Sequence, residues 1–381
     1  MPLDHGNHRA ISMLNFCTFF DHRYLHKGLA LYSSLRRHSS AVRLYVLCMD
    51  VICHEALAKL NLPSVYLIAL SDFEASDSEL LGAKANRSIV EYYFTCTPSL
   101  PLYIFRHFQD VDCLTYIDSD FFFFSDPKNV VEEVSRFSVS IVPHRFPHHL
   151  KSLEKIYGVF NVGWLTFRRD EVALACLRRW REQCIEWCFD RLENGRFADQ
   201  MYLDEWPALF PETHIISHKG VDLAPCNIAN YRIDVIDDQV RVDDDPLICF
   251  HFFGLKEYQG ILYYLSLQKY GQRPTRRILS AIYEPYFRAM AEGAQQAKRV
   301  LADLASFTSL RELTQNGSRQ DLTAYFQKKF KKLMRYNVIA RELIMRRFVI
   351  FLNGRIVFKF IPCGCEGKFN CSITVRSTSF L

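Results

Sequence analysis

Residues 116–127 read YIDSDFFFFSDP, and no other stretch restricts the fold so much. Leu114, Tyr116 and Ile117 form a β-prone, apolar approach to two carboxylates, Asp118 and Asp120, which are separated by Ser119 and followed by four phenylalanines. That order predicts a buried strand ending at a charged edge, the edge of an open α/β sheet beyond which ligands sit. Two carboxylates so close repel each other unless a positive charge lies between them. A hard divalent cation with oxygen ligands and open positions for substrate phosphate meets that need. Two alternatives rest on the same residues: a turn in which both aspartates only cap backbone groups, and a phosphatase-type Asp-x-Asp, although Phe121 and Phe122 replace the Thr or Val usual after it.

Before this stretch, apolar runs alternate with helical patterns. Residues 12–19 (SMLNFCTF) and 43–48 (RLYVLC) predict buried strands, and residues 27–38 between them carry Leu29, Tyr32, Ser33 and Leu35 at helical spacing, with Gly28 marking the start. A strand, helix, strand unit of this kind opens a parallel sheet. Its first turn carries Thr18, Asp21 and Tyr24, polar groups at the ligand edge whose plain alternative is capping. Residues 56–60 predict a helix, 65–70 a strand, and 86–109 a helical region broken by Pro98 and Pro101. Lys84 and Arg87 stand at its front, where cations meet phosphate or are simply solvated.

Beyond the acidic edge, residues 138–142 predict a strand and 143–149 a loop with His144, His148 and His149 at no metal-like spacing, read as surface histidines. FNVGWLTF (residues 160–167) predicts a strand in which Asn161 and Gly163 stand, and glycine inside a strand marks close approach of a ligand or of backbone. A helix is predicted from Asp170 to about Leu192. In FADQMYLDEW, Asp199 and Gln200 open a further helical stretch, with Asp199 a candidate cap. ICFHFFGLK places His251 in an apolar strand, followed by Gly254 and Lys256. A lone histidine there is usually a core residue, but imidazole, glycine and lysine together suit a metal with a pyrophosphate.

At 381 residues, 49% hydrophobic and 14% aromatic, the chain can bury one large or two moderate cores. The formal charge of +5 is unevenly spread: residues 323–360 carry +9, the last 21 residues +1, and residues 1–322 therefore −5. Phe326, Phe330, Leu333 and Met334 share a helical face flanked by Lys328, Lys329, Lys331, Lys332 and Arg335, a pattern for an anionic membrane surface or for a docking helix with a solvated basic face. An acidic main body and the lack of a readout motif argue against nucleic acid. Thirteen cysteines without paired spacing suit buried thiols in a reducing compartment, and Cys363, Cys365 and Cys371 lack a local fourth ligand for zinc. With no apolar leader after MPLDHGNHRA and no apolar run near 18 residues, the chain reads as cytoplasmic, peripheral on a membrane through the basic tail.

Taken in order, CTFFDHRYLHKGLALYSSLRRHS, YIDSDFFFFSDP, FNVGWLTF, ADQMYLDEW and HFFGLK resemble the five motifs of GT-A glycosyltransferases of the glycogenin and lipopolysaccharide galactosyltransferase type, family 8, over residues 15–270. The resemblance implies an α/β fold of GT-A type, Rossmann-like, with a mostly parallel central sheet flanked by helices. This would make residues 1–270 a catalytic domain and 271–381 a helical, basic C-terminal region. It implies transfer of a sugar, with retention, from a nucleotide-diphosphate donor, UDP-linked, to a glycan, lipid-linked or protein acceptor. Asp118, Asp120 and His251 would hold Mn²⁺ or Mg²⁺. Thr18, Asp21 and Tyr24 would line the nucleoside, with Ser119 and Gly163 beside the donor. Arg87, Asn161, Asp199 and Gln200 would contact the sugar, and Gly254 and Lys256 the pyrophosphate, so that Asp199, Gln200 and Lys256 carry the catalytic roles. Phe19 and Phe20 are larger than the family's residues there, and Glu257 and Tyr258 replace the Pro and Trp that usually follow the lysine. The rival expectation is a catalytically silent domain of the same fold, acting as a membrane or nucleic-acid adaptor through its basic tail.

Overall fold

The computed structural model describes residues 13–258, 262–306, 348–352 and 354–357. Most of the basic segment 323–360, with the apolar face from Phe326 to Met334, and all of Cys363, Cys365 and Cys371, lie outside the described residues.

Strands β1 (Leu14–Phe20), β2 (Val42–Cys48), β3 (Val65–Ala69) and β4 (Cys113–Ile117) run parallel, and β5 (Phe121–Phe123) leaves their sheet directly after the acidic turn. β6 (Val139–Pro143), β7 (Phe160–Arg168) and β8 (Thr213–Ile215) complete a seven-stranded sheet of order β3-β2-β1-β4-β7-β6-β8. Only β7 opposes its neighbours. Because β1 and β4 are parallel, their carboxyl ends meet at one edge; because β7 is antiparallel to β4, its amino-terminal half reaches that same edge. Asn161 and Gly163 thereby come to stand beside Asp118, whose N–H donates to the Gly163 carbonyl at 3.1 Å. This mostly parallel sheet with one reversed strand and an acidic carboxyl edge, covered by helices, is the GT-A fold.

Strand alternation sends side chains to two cores. Cys17, Tyr45, Leu47, Tyr116 and Phe167 face the helix Glu171–Glu186, which contributes Leu177 and Trp180. Phe16, Leu44, Val46, Ile117 and Trp164 face α1 (Leu25–His38), which contributes Leu25, Leu29 and Leu35. The Asp21 carboxylate accepts from the N–H groups of Arg23 and Tyr24 and starts a short 3₁₀ turn that runs into α1. Gly28 does not mark the helix start: a Cβ there would lie 2.3 Å from the Phe20 ring, so the glycine is the groove in which Phe20 packs. Asp50 caps α2 (Val51–Leu60), and Asn61 ends it in the left-handed conformation with φ 45°. The helical region after Arg87 breaks at Pro98 as expected, into Ile89–Cys96 and Ser99–His107, with Pro101 tolerated in the first turn of the second. The helix from Asp170 stops at Glu186, short of the expected Leu192.

A second set of strands extends the ligand edge. β9 (Ile233–Ile236), β10 (Gln239–Val242) and β11 (Asp245–Pro246) form a small antiparallel sheet, and β12 (Cys249–His251) pairs antiparallel with β5. The region 271–381, expected to be helical, also carries strands. β13 (Lys256–Tyr258) and β14 (Leu262–Tyr264) are joined by β15 (Phe348–Leu352) and β16 (Arg355–Val357) in one antiparallel sheet. The run FVIFL before Asn353-Gly354 is an ordinary hairpin signal. The helix Glu284–Ser306 lies across α1: Ala297 and Val300 are buried with Leu25 and Leu29, and a Cβ on Gly293 would meet the His26 carbonyl at 2.7 Å. Among the described residues ten cysteines are free, nine of them buried, as expected of small apolar thiols. Among the described residues no helix is long and apolar enough to cross a membrane.

Candidate metal and donor site

The pairing of β5 with β12 sets His251 opposite Phe121, three residues past Asp118. The Phe121 and His251 rings stack with centroids 4.3 Å apart. The His251 Nε2 lies 3.4 Å from Asp118 Oδ2 and 3.3 Å from Asp120 Oδ1. One ligand atom from each of the three residues lies within 4.8 Å of the others. On the far side of the ring, Nδ1 lies 3.1 Å from Asp222 Oδ1, and the other Asp222 oxygen accepts from Asn161 Nδ2 at 3.2 Å. Asp222 is fully buried and left-handed, φ 53°. The Asn161 Oδ1 accepts from the Gly163 N–H at 2.8 Å. Gly163 is open for a steric reason: a Cβ there would sit 2.6 Å from His251 Cε1. The close approach foreseen at this glycine is made by the imidazole.

Burial opposes a charge on His251, yet its hydrogen bonds to Asp118, Asp120 and Asp222 outweigh it and raise its pKa well above the ordinary histidine range. The Asp120 carboxyl is pushed up by burial but brought below its usual value by His251, and then by the charge of Lys27. With Nδ1 committed to Asp222, Nε2 and the two carboxylates form an oxygen-and-nitrogen donor set of the kind that takes Mg²⁺ or Mn²⁺. A carboxylate that orients a ligating histidine is the usual support for such a set. Tyr116 Oη donates to Asp118 Oδ1 at 2.8 Å and leaves Oδ2 facing the cluster. The residues present therefore fit a divalent cation.

A cavity of about 230 Å³ opens beside the cluster, lined by Asp118, Asn161, Gln200, His251, His144 and Lys269 among others. Gln200 Nε2 donates to the Tyr157 carbonyl at 2.7 Å. His144 is not a surface residue, as its loop suggested; it is 6% exposed and stacked on Phe146, and burial lowers its pKa to about 4. His148 and His149 are exposed. Asp199 does not cap the helical stretch after it: its side chain is buried near Thr97, and burial, with the Asp118 charge adding, pushes its pKa up to about 7.

The remaining expected residues divide. Thr18 is fully buried at the end of β1 with its hydroxyl unpartnered. Asp21 is engaged by Arg23, whose Nε lies 2.8 Å away, and by Tyr93, while Tyr24 is 45% exposed. Ser119 lies in the turn between the two aspartates. Arg87 points to the end of the Glu171–Glu186 helix, donating to the Cys184 and Ile185 carbonyls and lying over Phe189. Gly254 has φ 70° against Ser266, and Lys256 is exposed on β13. Sequence reasoning missed Asp222, His144 and Lys269. Asp222 follows a His-Lys-Gly turn with nothing in its spacing that ties it to His251.

Fold and site together define an α/β protein of GT-A architecture with an Asp, Asp and His cluster at its ligand edge that could hold a metal ion. No family model matches the chain. In sequence it is similar to the uncharacterized protein YfnD of Bacillus subtilis (strain 168), 29% identical over 302 residues, covering 77% of this chain and 94% of YfnD. YfnF of the same organism is 29% identical over 248 residues, covering 63% of this chain and 81% of YfnF. Similar solved structures include the galactosyltransferase LgtC in complex with donor and acceptor sugar analogues, with 13% identity, a TM-score of 0.48, and 73% of this chain and 96% of that one covered. Mouse xyloside xylosyltransferase 1 in its apo form has 14% identity, a TM-score of 0.43, and 63% and 98% coverage.

Proposed function

We propose that this protein is a metal-dependent glycosyltransferase that moves a sugar from a nucleoside-diphosphate sugar, UDP-linked, to a glycan, lipid-linked or protein acceptor, with retention at the anomeric carbon. The observation that carries the reading is the Asp118, Asp120 and His251 cluster, held on its far side by Asp222. In this reading those three residues hold Mn²⁺ or Mg²⁺, and the adjoining cavity receives the sugar. When bound there, a divalent cation supplies neutralisation of the charge that develops on the departing nucleoside diphosphate. The chain's own residues do the rest. Asn161 and Gln200 line the cavity and orient sugar hydroxyls, Asp199 lies beyond them as a carboxyl poised near neutrality, and Tyr116 fixes the rotamer of Asp118. Thr18 and Tyr24 border the nucleoside at the end of β1. The adaptor alternative gives a buried, hydrogen-bonded Asp222 and His251 pair no task.

Hydrolysis of the donor, followed with and without chelator across a panel of nucleotide sugars, tests the reading. Chelator-sensitive release of one sugar from its nucleotide is the expected result. No turnover of any donor with any divalent cation would remove it, and an inverted product linkage would remove the retaining assignment alone.

A further inference from the structure

Charged groups at the carboxyl edge are mostly paired: Asp21 with Arg23, Asp118 with Tyr116, Asp222 with Asn161, and His251 between three carboxylates. Lys27 is the exception. It stands in the interior of α1, 5% exposed, and among the described residues its ammonium has no carboxylate or carbonyl partner. The Tyr24 ring centroid lies 4.2 Å from its Nζ. Asp120 is within reach of its charge. The Tyr286 hydroxyl, on the helix that crosses α1, is also buried without a hydrogen-bond partner, and it too lies within electrostatic reach of Asp120 and Tyr24. A buried hydroxyl left without a partner is expensive, and Lys27 packs its stem in the interior while its ammonium meets no anion among the described residues. A phosphate oxygen at this place would satisfy both. Lys256, by contrast, is exposed on β13 and makes no ion pair among the described residues.

We propose that Lys27, assisted by the Tyr286 hydroxyl, is the side chain that takes the diphosphate of the donor, the role that the family resemblance gave to Lys256. This rests on the nucleotide-sugar reading above. The position suits it: Lys27 lies between Tyr24, at the nucleoside end of β1, and Asp120, in the metal cluster, which is the order of nucleoside, diphosphate and cation along a donor. Lysine binds phosphate as a compact point charge with three donors, and one such contact is worth about 10- to 100-fold in affinity.

The test is calorimetric titration of the full chain with Mn²⁺ alone, with uridine, and with UDP plus Mn²⁺, on wild type, Lys27→Met, Lys27→Arg and Lys256→Met, each checked by a melting curve. Lys27→Met is expected to weaken UDP by about 10- to 100-fold while leaving uridine and Mn²⁺ unchanged. Lys27→Arg should recover part of the loss, and Lys256→Met should fall well short of it. Equal UDP affinity in wild type and Lys27→Met overturns the inference. So does a loss of Mn²⁺ affinity as large as the loss of UDP affinity, since Lys27 would then only support Asp120. If wild type binds UDP and Lys256→Met alone loses it, the inference falls and the glycosyltransferase reading stands. If wild type binds no nucleoside diphosphate with Mn²⁺, both fall.

Discussion

The Nδ1 of His251 lies 3.1 Å from the buried carboxylate of Asp222, so the imidazole is fixed from behind while its Nε2 faces Asp118 and Asp120. Asp222→Asn should keep the shape but lose the charge that holds the ring's proton on Nδ1. Affinity for Mn²⁺ in the presence of nucleoside diphosphate is expected to fall about 10- to 100-fold, as for other carboxylates behind a ligating histidine. Calorimetry checks this, and an unchanged affinity would show that the ring needs no such support.

Gly163→Ala tests the space on the other side of the ring. The new Cβ would meet His251 Cε1 at 2.6 Å and Phe121 Cε2 at 3.0 Å, both parts of buried rings with little room to move. A stability loss of about 1–3 kcal/mol is expected, as for overpacking elsewhere, together with weakened metal binding. Gly82→Ala, in the helix Ser78–Ala83 where nothing lies within 4 Å, serves as the clash-free control and is expected to hold or slightly raise the melting temperature.

Two buried groups should tilt stability in opposite directions with pH. Asp199 has its pKa raised from 3.8 to about 7 in the fold, so the folded state binds the extra proton. Its contribution is present at low pH and lost as pH rises from about 4 through 7, with a ceiling of about 4 kcal/mol. Asp199→Asn should therefore raise the melting temperature at pH 8, in chelator, and do so much less at pH 5. At the same time it should cut turnover more than donor affinity if Asp199 acts on the transition state.

His144 behaves in reverse. Burial lowers its pKa from 6.5 to about 4, the unfolded chain binds the extra proton, and stability is lost as pH falls between those values. Replacing it with Phe should flatten the acid limb of the stability profile. An acid limb that stays as steep in the variant would show that other groups set it.

Much of the site was legible because each motif sits at a strand end. Asp118, Asp120 and His251 follow apolar runs that stop at polar residues, and a parallel sheet carries the end of β4 to the ligand edge, whereas Asn161 and Gly163 reach that edge because β7 is reversed and His251 because β12 pairs antiparallel with β5. Asp222 was not legible. It reaches His251 through a bridge between Leu223 and Phe250, a pairing between segments far apart in the chain that no local pattern announces. Nothing in the sequence singled out Lys27, which lies on α1, the helix that the much later Glu284–Ser306 crosses. Arg87 carries the right charge in the right order, but the free carbonyls at the end of the helix Glu171–Glu186 claim its guanidinium.

The measurement that bears most directly on the account is titration of UDP into wild type and Asp120→Ala, with Mn²⁺ and with chelator, alongside matched melting curves. Wild type should bind UDP only when Mn²⁺ is present, and Asp120→Ala should lose that binding while melting close to wild type, because the carboxylate stands at a sheet edge outside the apolar core. UDP binding by both proteins regardless of metal would contradict the account, as would an Asp120→Ala variant that is destabilised yet responds to Mn²⁺ as wild type does.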